Sequence, residues 1–322
     1  MNTITRRCTL AIPAILAALM LTPAAAQGPV KLAAVAPTPA AAQRTFASPE
    51  EAVKNLVDAL RGADMKGLAA IIGPGSDAWI RSGDAVQDEQ DRQRFLAAYD
   101  EKNALEAKGA DQFVLAIGAD AWPFAVPIVK KGSQWAFDAK AGREEIANRR
   151  VGRNELDTIM TLLAVVEAQR QYAAADAGGH GVPAYARRFL SSEGKKDGLY
   201  WPTNPGETAS PLGPLADSAL EQGYAGKASS SPQPYKGYYY RMLTAQGKDA
   251  RGGAGDYVVK GQLTRGFAVV AYPVKYGVSG IMTFLVNNDG VIYEKDLGNA
   301  TASAAGSMTR YDPGTTWRKS QP

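Results

Sequence analysis

The side chains that most often carry out chemistry in proteins are scarce in this sequence. Its 322 residues include one cysteine, Cys8, and one histidine, His180. Multi-histidine and cysteine-rich metal sites are therefore excluded, and the sequence predicts no metal and no other cofactor. His180 lies between glycines, four residues after Asp176. No positioned nucleophile can be identified for it, so we interpret His180 as an exposed loop residue rather than a general base.

Three clustered arginines, Arg149, Arg150 and Arg153, are candidates for binding an anionic ligand or polymer. Glu145 precedes Arg149 by four residues, and Asp157 follows Arg153 by four. This is the spacing of ion pairs on a helix. Intrahelical pairing on a solvated surface is therefore the competing interpretation.

Four aromatic residues are candidates for stacking against a ligand. Tyr200 and Trp201 lie in a turn-rich segment, and Tyr238 and Tyr240 lie in a strand-like run. Alternation along a strand places Tyr238 and Tyr240 on one side and Tyr239 on the other. One side is expected to cover a helix, and the other is a candidate open surface. Core packing is the alternative role for these rings.

Acidic residues offer a second route to function. The 32 acids supply many pairs of carboxylates, but no spacing selects a pair for glycosidic chemistry. We therefore favour a non-catalytic binding or scaffolding module whose partner is an envelope protein or a polymer. The alternative is an envelope hydrolase that uses carboxylates or tyrosines on cell-wall material.

Residues 1–26 have the layout of a cleavable signal peptide, with Arg6 and Arg7, an apolar run over 10–21, and small residues before Gln27. The run is shorter than the roughly 20 residues that span a bilayer. A mature chain starting at Gln27 is therefore expected in the periplasm or secreted, without a transmembrane anchor, and exported by the Sec rather than the Tat route.

The mature chain is expected to be nearly neutral. The sequence has 36 basic and 32 acidic residues, and two of the basic residues lie in the signal segment. This balance predicts no nucleic-acid partner. Residues 27–45 are rich in alanine and proline and predict a flexible tether.

The longest helical pattern covers 143–172. Asn154 is its expected N-cap for the apolar half, and Glu155 lies in the expected first turn. Spacing predicts a buried helix face made of the following residues: Leu156, Ile159, Met160, Leu163, Val166 and Tyr172. An antiparallel sheet downstream is the expected cover for this face.

We expect an α+β chain with two units. In residues 46–140, a capping box at Ser48 opens the first of three helices, and the third is expected at about 88–105. Strands follow at 112–117, 124–129 and 134–138. This order resembles the NTF2-like or cystatin-like superfold. Residues 141–322 are expected to hold the long helix, a four-stranded antiparallel sheet and a C-terminal tail over 299–322, which Met308, Tyr311 and Trp317 are expected to attach to the body. The strands of this sheet are predicted at 237–243, 266–272, 280–287 and 291–295, with Asn288-Asp289-Gly290 as a hairpin turn.

Several phrases point to a family. Among them are FASPEEAV (46–53), GREEIANRRVGRNEL (142–156), KKDGLYWP (195–202) and AYPVKYGVSGIMTFLVNNDGVIYEKDLG (271–298). They are similar to an uncharacterised bacterial family, domain of unknown function 2950. The resemblance implies an exported bacterial protein without an assigned activity, cofactor or catalytic residue.

A second resemblance concerns fold alone. From residue 154 onward, a helix, a glycine-rich loop and an antiparallel sheet resemble the globular part of type IV pilins and pseudopilins. The helix carries Glu155, Asp157 and Glu167, so it cannot form the continuous apolar helix of a pilus core. The resemblance therefore implies a pilin-like fold without filament assembly.

Overall fold

The computed structural model of the chain describes residues 42–225 and 232–320. The predicted signal peptide and residues 27–41 of the predicted tether lie outside this part. The end of that tether belongs to the fold. The Gln43 side-chain amide donates to the carbonyls of Ile72 and Phe137, at 2.7 Å each, and the Thr45 hydroxyl donates to Gln134 at 2.6 Å. The folded part therefore includes residues that composition alone assigned to the tether.

Seven α-helices and a 3₁₀ turn at Gly298–Ala300 occur in the described residues. The helices are α1 (Pro49–Arg61), α2 (Met65–Ile72), α3 (Asp77–Ile80), α4 (Ala85–Glu101), α5 (Ala139–Ala174), α6 (Gly213–Glu221) and α7 (Thr301–Gly306).

Two antiparallel five-stranded sheets organise the strands. The first contains β1 (Asn103–Ala107), β2 (Gln112–Ile117), β3 (Trp122–Pro123), β4 (Ile128–Lys131) and β5 (Gln134–Phe137), in the order β1-β2-β4-β5 with β3 also paired to β2. The second contains β6 (Tyr238–Leu243), β11 (Ala268–Pro273), β12 (Met282–Asn287), β13 (Tyr293–Asp296) and β15 (Arg318–Lys319), in the order β15-β13-β12-β11-β6.

Short strands complete the described fold. They are β7 (Ala245–Gln246), β8 (Gly255–Asp256), β9 (Val258–Val259), β10 (Gln262–Leu263) and β14 (Arg310–Tyr311). β14 runs parallel to β7, and β8 pairs antiparallel with β7 on its other side.

The predicted start of α1 is confirmed. Ser48 Oγ accepts from the Glu51 amide at 3.2 Å, and Glu51 Oε2 accepts from the Ala47 amide at 2.8 Å. The first bond is that of the predicted capping box, with Pro49 at the first helical position, and the Glu51 carboxylate reaches back to Ala47, one residue before the N-cap. The helix buries Val53, Leu56 and Val57 in a hydrophobic cluster that is built around α1, α2 and the first sheet.

The predicted end of the third helix, near residue 105, was wrong. α4 ends at Glu101, and Lys102 adopts an extended backbone. The next five residues pair with β2, so that Asn103 lies opposite Ile117. Cross-strand pairing, which the sequence pattern did not show, overrides the local helical preference.

The long helix α5 is continuous over 36 residues, and its N-cap is Asp138, whose carboxylate accepts from the amides of Lys140 and Ala141 at 3.1 Å each. The prediction of an N-cap at Asn154 was therefore wrong. Asn154 lies inside the helix and is buried. Glu155 likewise lies in mid-helix rather than in a first turn.

Half of the predicted apolar face of α5 points away from the sheet. Ile159, Val166 and Tyr172 are buried as predicted. By contrast, Leu156, Met160 and Leu163 are 58%, 64% and 40% exposed. The sheet is instead covered by a face that also includes Leu162, Val165, Ala168 and Gln169. Packing against the second sheet fixes the rotation of the helix. Helical spacing alone was compatible with more than one apolar face.

The four predicted strands of the second sheet are present, and β15 adds a fifth at its edge. β12 and β13 form the predicted hairpin, in which Asn287 Oδ1 accepts from the Asp289 amide at 3.1 Å. Gly290 has φ +79°, which glycine adopts without strain.

Neither side of β6 is open in the described structure. Tyr240 faces α5 and donates to Thr158 Oγ1 at 3.2 Å. On the opposite side, Arg241 donates to the Ala305 carbonyl of α7 at 2.9 Å, and Tyr239 packs on Tyr272 with ring centroids 5.6 Å apart. The candidate open surface of this strand is therefore covered.

The fold class is α+β, as predicted. The described residues fall in one compact unit, and their hydrophobic core has two clusters. The first is built around α1, α2 and the first sheet, and the second lies between α5 and the second sheet. The division into units at residues 46–140 and 141–322 stays a prediction. Across residues 42–225 and 232–320, no helix combines the length and apolar composition that crossing a membrane requires.

Candidate functional site

The three candidate arginines contact three different parts of the fold. Arg149 Nε contacts Glu145 Oε1 at 2.7 Å, which confirms that predicted pair, and the guanidinium also lies 5.2 Å from the Trp122 ring centroid. Arg153 binds both carboxylate oxygens of Asp91, at 2.8 and 3.0 Å, instead of the predicted Asp157.

Arg150 turns inward. Its Nη1 donates to the Trp79 carbonyl at 2.8 Å, and burial lowers the pKa of its guanidinium. The three arginines therefore make different contacts: Arg149 a cation–π contact, Arg150 a buried hydrogen bond to the backbone, and Arg153 an ion pair. Each guanidinium has protein partners already, so an incoming anion would compete with them.

The four candidate aromatics also lie in separate places. Tyr200 is buried and donates to Asp217 at 3.3 Å, whereas Trp201 packs edge-on to Tyr172 at 6.4 Å and lies 5.3 Å from Lys196 Nζ. Tyr238 is fully buried and donates to the Met282 carbonyl at 3.1 Å. Burial raises the pKa of both Tyr238 and Tyr240, so the two phenols stay neutral near pH 7.

A cleft of about 390 Å³ opens at the edge of the second sheet. This volume is within the range of small-molecule sites. Three segments supply its walls: the loop after β7, the β12–β13 hairpin with β13, and the C-terminal tail. The lining residues are Asp249, Arg251, Asn287, Asp289, Val291, Tyr293, Tyr311, Pro313 and Lys319.

Backbone pairing holds the tail in place as the outer wall. The Gly247 amide donates to the Tyr311 carbonyl at 2.9 Å, and the Asp249 amide donates to Asp312 Oδ1 at 2.8 Å. Further along the tail, Lys319 of β15 lies opposite Tyr293 of β13 in antiparallel register. The predicted attachment of the tail is thus confirmed, and the tail supplies one of the three walls of the cleft.

The inner part of the cleft is aromatic and amide-lined. The rings of Tyr293 and Tyr311 meet edge to face, with centroids 6.4 Å apart and an interplanar angle of 73°. Asn287 is buried beside them. Burial, followed by the nearby Tyr293, Tyr257 and Asp289, raises the pKa of Tyr311 well above its usual value. Its phenol is therefore a neutral hydrogen-bonding group near pH 7.

The outer rim of the cleft is charged and balanced. Asp249 and Asp289 supply two carboxylates, and Arg251 and Lys319 supply two cations, and all four residues are exposed. A balanced rim favours a ligand with both accepting and donating groups over a simple anion or cation.

Sequence reasoning missed this cleft. None of the seven predicted site residues lines it, because its walls come from segments that meet only through sheet pairing. Two signals were available, namely the hairpin at Asn288-Asp289-Gly290 and the expected attachment of the tail. Both were interpreted as purely structural.

In the described part of the chain, no group of three or more histidine, cysteine, aspartate or glutamate side chains is placed so that it could hold a metal ion. His180 lies in an exposed loop, as predicted. Asp176 accepts from the amides of His180 and Gly181 at 2.8 Å each, so its carboxylate shapes the loop and does not contact the imidazole through these bonds.

The fold and cleft define an α+β protein in which one long helix covers an antiparallel sheet, and in which the last strand of the described residues lies beside a polar cleft. The chain belongs to the family described as protein of unknown function (DUF2950), which matches residues 43–320. The resemblance inferred from the sequence is thereby confirmed. No curated protein and no solved structure matches the chain, and the resemblance to pilins is not confirmed.

Proposed function

We propose that this protein is an exported bacterial envelope protein whose cleft binds a polar, hydroxyl-rich ligand from the cell wall without converting it. The observation that carries the proposal is the convergence of two tyrosine rings, a buried amide and four rim charges in one cleft.

The chemistry of the cleft fits a saccharide that bears an acidic substituent. A tyrosine ring presents a flat apolar surface, on which a sugar ring can lie. Asp249, Asp289 and Asn287 supply oxygens that accept from sugar hydroxyls. Arg251 and Lys319 supply donors for a carboxylate, which makes charge-assisted hydrogen bonds with them.

Binding is favoured over catalysis by the surroundings of these groups. Catalytic carboxylates and tyrosines are usually tuned by burial or by a paired charge, and act in a site from which water is excluded. The two rim carboxylates are exposed. The raised pKa of Tyr311 also disfavours the phenolate that a tyrosine nucleophile requires.

A direct test is calorimetric titration with soluble cell-wall fragments that carry an amino sugar and a carboxylate. Tyr293→Ala should weaken binding at least tenfold, because stacking and the shape of the cleft are lost together. Tyr276→Ala is the matched control, because Tyr276 is half-exposed, as Tyr293 is, but does not line the cleft. The Tyr276 hydroxyl donates to Asp296 at 3.2 Å. Equal affinity in both variants would contradict the proposal.

The second candidate function is a hydrolase, and one observation favours it: Asp249 and Asp289 line the same cleft. Two carboxylates are the usual machinery of glycoside hydrolysis. Incubation with the same fragments, followed by mass spectrometry, distinguishes the two functions. A hydrolase would release products, and Asp249→Asn or Asp289→Asn would stop the release, whereas a binding protein leaves the fragments intact.

Export is supported by the pattern of residues 1–26. The mature chain is expected to start at Gln27 and to appear in the periplasmic or extracellular fraction. N-terminal mass mapping of protein from a bacterial host measures this start. Intact Met1 in membrane pellets would overturn this part of the proposal.

A further inference from the structure

Another pocket, of about 270 Å³, lies between α2 and α3. This volume falls just below the range of about 300–1,000 Å³ that drug-sized ligands occupy, so the pocket suits a smaller molecule. We call it the α2–α3 pocket, and its lining residues are Met65, Lys66, Ala69, Asp77, Ile80 and Arg81.

Helical spacing and one buried hydrogen bond shape the α2–α3 pocket. Met65 and Ala69 lie four residues apart on α2, and Asp77 and Ile80 lie three apart on α3, so each pair shares a helix face. The Ser76 side chain is buried, and its hydroxyl donates to the Ala69 carbonyl at 3.2 Å. This bond ties the start of α3 to α2, so the pocket is preformed.

The charged groups of the α2–α3 pocket are not paired with each other. Its three apolar residues are half-buried, whereas its two cations, Lys66 and Arg81, and its one acid, Asp77, are exposed. Among the described residues, none of these three charged groups takes part in an ion pair. Neighbouring Asp64 caps α2 instead, since its carboxylate accepts from the Gly67 amide at 2.8 Å. Both signs of charge are therefore left to meet a ligand.

A further cation lies at the end of α3. The Lys275 ammonium donates to the Arg81 carbonyl at 3.4 Å and also to the Ala78 carbonyl. These acceptors are neutral, so they do not cancel its charge. Arg150 and Asp88 lie behind α3 as well, but their opposite charges offset each other. The potential is therefore most positive at the Arg81 end of the pocket, which favours an anionic group there.

We propose that the α2–α3 pocket binds a small α-amino acid with an apolar side chain. The carboxylate of the amino acid accepts from Arg81 and Lys66, and its ammonium donates to Asp77. Its side chain covers Met65 and Ile80. One molecule that carries both charges can bridge groups that do not reach each other, which a plain carboxylate or a plain amine cannot do. This inference is independent of the cleft and of the ligand proposed for it.

The exposure of the charged groups sets the expected affinity. Ion pairs between exposed groups contribute little, because water and salt screen them. For leucine we expect a Kd on the order of 1 mM, which should rise several-fold when salt is raised from 20 to 300 mM. Glycine lacks the apolar side chain and should bind at least about fivefold more weakly.

Methyl NMR of the chain from Gln27, titrated with leucine up to 20 mM, measures binding at the signals of Met65, Ala69 and Ile80. Two analogues each lack one charge: N-acetyl-leucine has no ammonium, and leucinamide has no carboxylate. Both should bind at least about fivefold more weakly than leucine, since each loses one charge-assisted contact. Tyr293→Ala should leave leucine binding unchanged, because Tyr293 lines the cleft and not this pocket.

Two substitutions test the assigned contacts. Arg81→Gln should weaken leucine binding at least about fivefold, and Arg143→Gln, at an exposed arginine outside the pocket, is its matched control. Asp77→Asn should weaken leucine binding but not the binding of N-acetyl-leucine, whereas a merely structural role would weaken both. Asp120→Asn, at another exposed aspartate, is the control. Circular dichroism should show that all four variants keep the fold, since all four side chains are exposed.

Three results would overturn the proposal. One is the absence of any shift in the Ile80 methyl signals at 20 mM leucine. Another is equal affinity for leucine and N-acetyl-leucine, which would show that the pocket accepts amphipathic carboxylates without reading the ammonium. The third is an unchanged affinity for leucine in Arg81→Gln.

Discussion

Substitution of Asn154 by alanine is expected to be the most informative test of how the two core clusters are joined. Asn154 Nδ2 donates to the Ser279 carbonyl at 2.8 Å, and Asn154 Oδ1 accepts from Gln87 Nε2 at 2.8 Å. The three residues are buried and belong to α5, the segment before β12, and α4. Alanine removes both bonds and leaves buried polar groups without partners.

The magnitude follows from the number of orphaned groups. Each buried group that loses its partner costs about 1–3 kcal/mol. Two such groups, the Gln87 amide and the Ser279 carbonyl, give a loss of about 4 kcal/mol in the free energy of unfolding. At about 2 °C per kcal/mol for a domain of this size, the melting temperature should fall by about 8 °C.

Urea unfolding followed by far-UV circular dichroism measures the loss at constant m-value. Asn103→Ala is the control, because Asn103 is exposed and its amide donates to the Tyr99 carbonyl at 3.0 Å. The control should lose no more than about 0.5 kcal/mol. A loss below about 1 kcal/mol for Asn154→Ala would refute the view that this cluster of hydrogen bonds is closed and dry.

Three further predictions address the helix, the loop and metals. Leu162→Ala should cost about 2–5 kcal/mol because Leu162 is fully buried, whereas exposed Leu163→Ala should cost under about 0.5 kcal/mol; equal urea midpoints would contradict the helix rotation. The amides of His180 and Gly181 hold the pKa of Asp176 below its ordinary 3.8. The stabilisation of the loop by this carboxylate is therefore complete at neutral pH and is lost only as the pH falls through the lowered pKa. An NMR titration of the Gly181 amide with a midpoint at or above pH 3.8 would be inconsistent with this prediction. Chelator should leave the melting temperature unchanged, and a drop of several degrees, about 1 kcal/mol or more, would reveal an oxygen-ligand site.

Local signals predicted local structure well. The capping box at Ser48 and the turn at Gly290 act within a few residues, where side-chain chemistry decides the backbone. The strands of the second sheet followed from short apolar runs between turns. These features explain why the α+β class was correct.

Errors arose where a long-range contact decides the outcome. Asn154 has the chemistry of an N-cap, but here its amide bonds partners that lie 67 and 125 residues away in the chain. Leu156 and Met160 were assigned to the core because helical spacing cannot tell which of two apolar faces meets the sheet. The cleft was missed for the same reason, since Asp249, Asp289 and Lys319 meet only through strand pairing.

The way α5 is covered has a consequence for when the protein can fold. The Glu155 carboxylate accepts from the amide of Ile281, 126 residues further along the chain. As the chain emerges with its N-terminus first, the N-terminal part of α5 can dock on the first cluster at once, but the face with Leu162 and Val165 has no cover until β11 and β12 follow. Closing such a long loop is slow, and the uncovered face is prone to aggregation in the meantime. We therefore expect the rate of folding to depend on the docking of the second sheet rather than on the formation of α5. We also expect chains truncated before Met282 to require a chaperone to stay in solution.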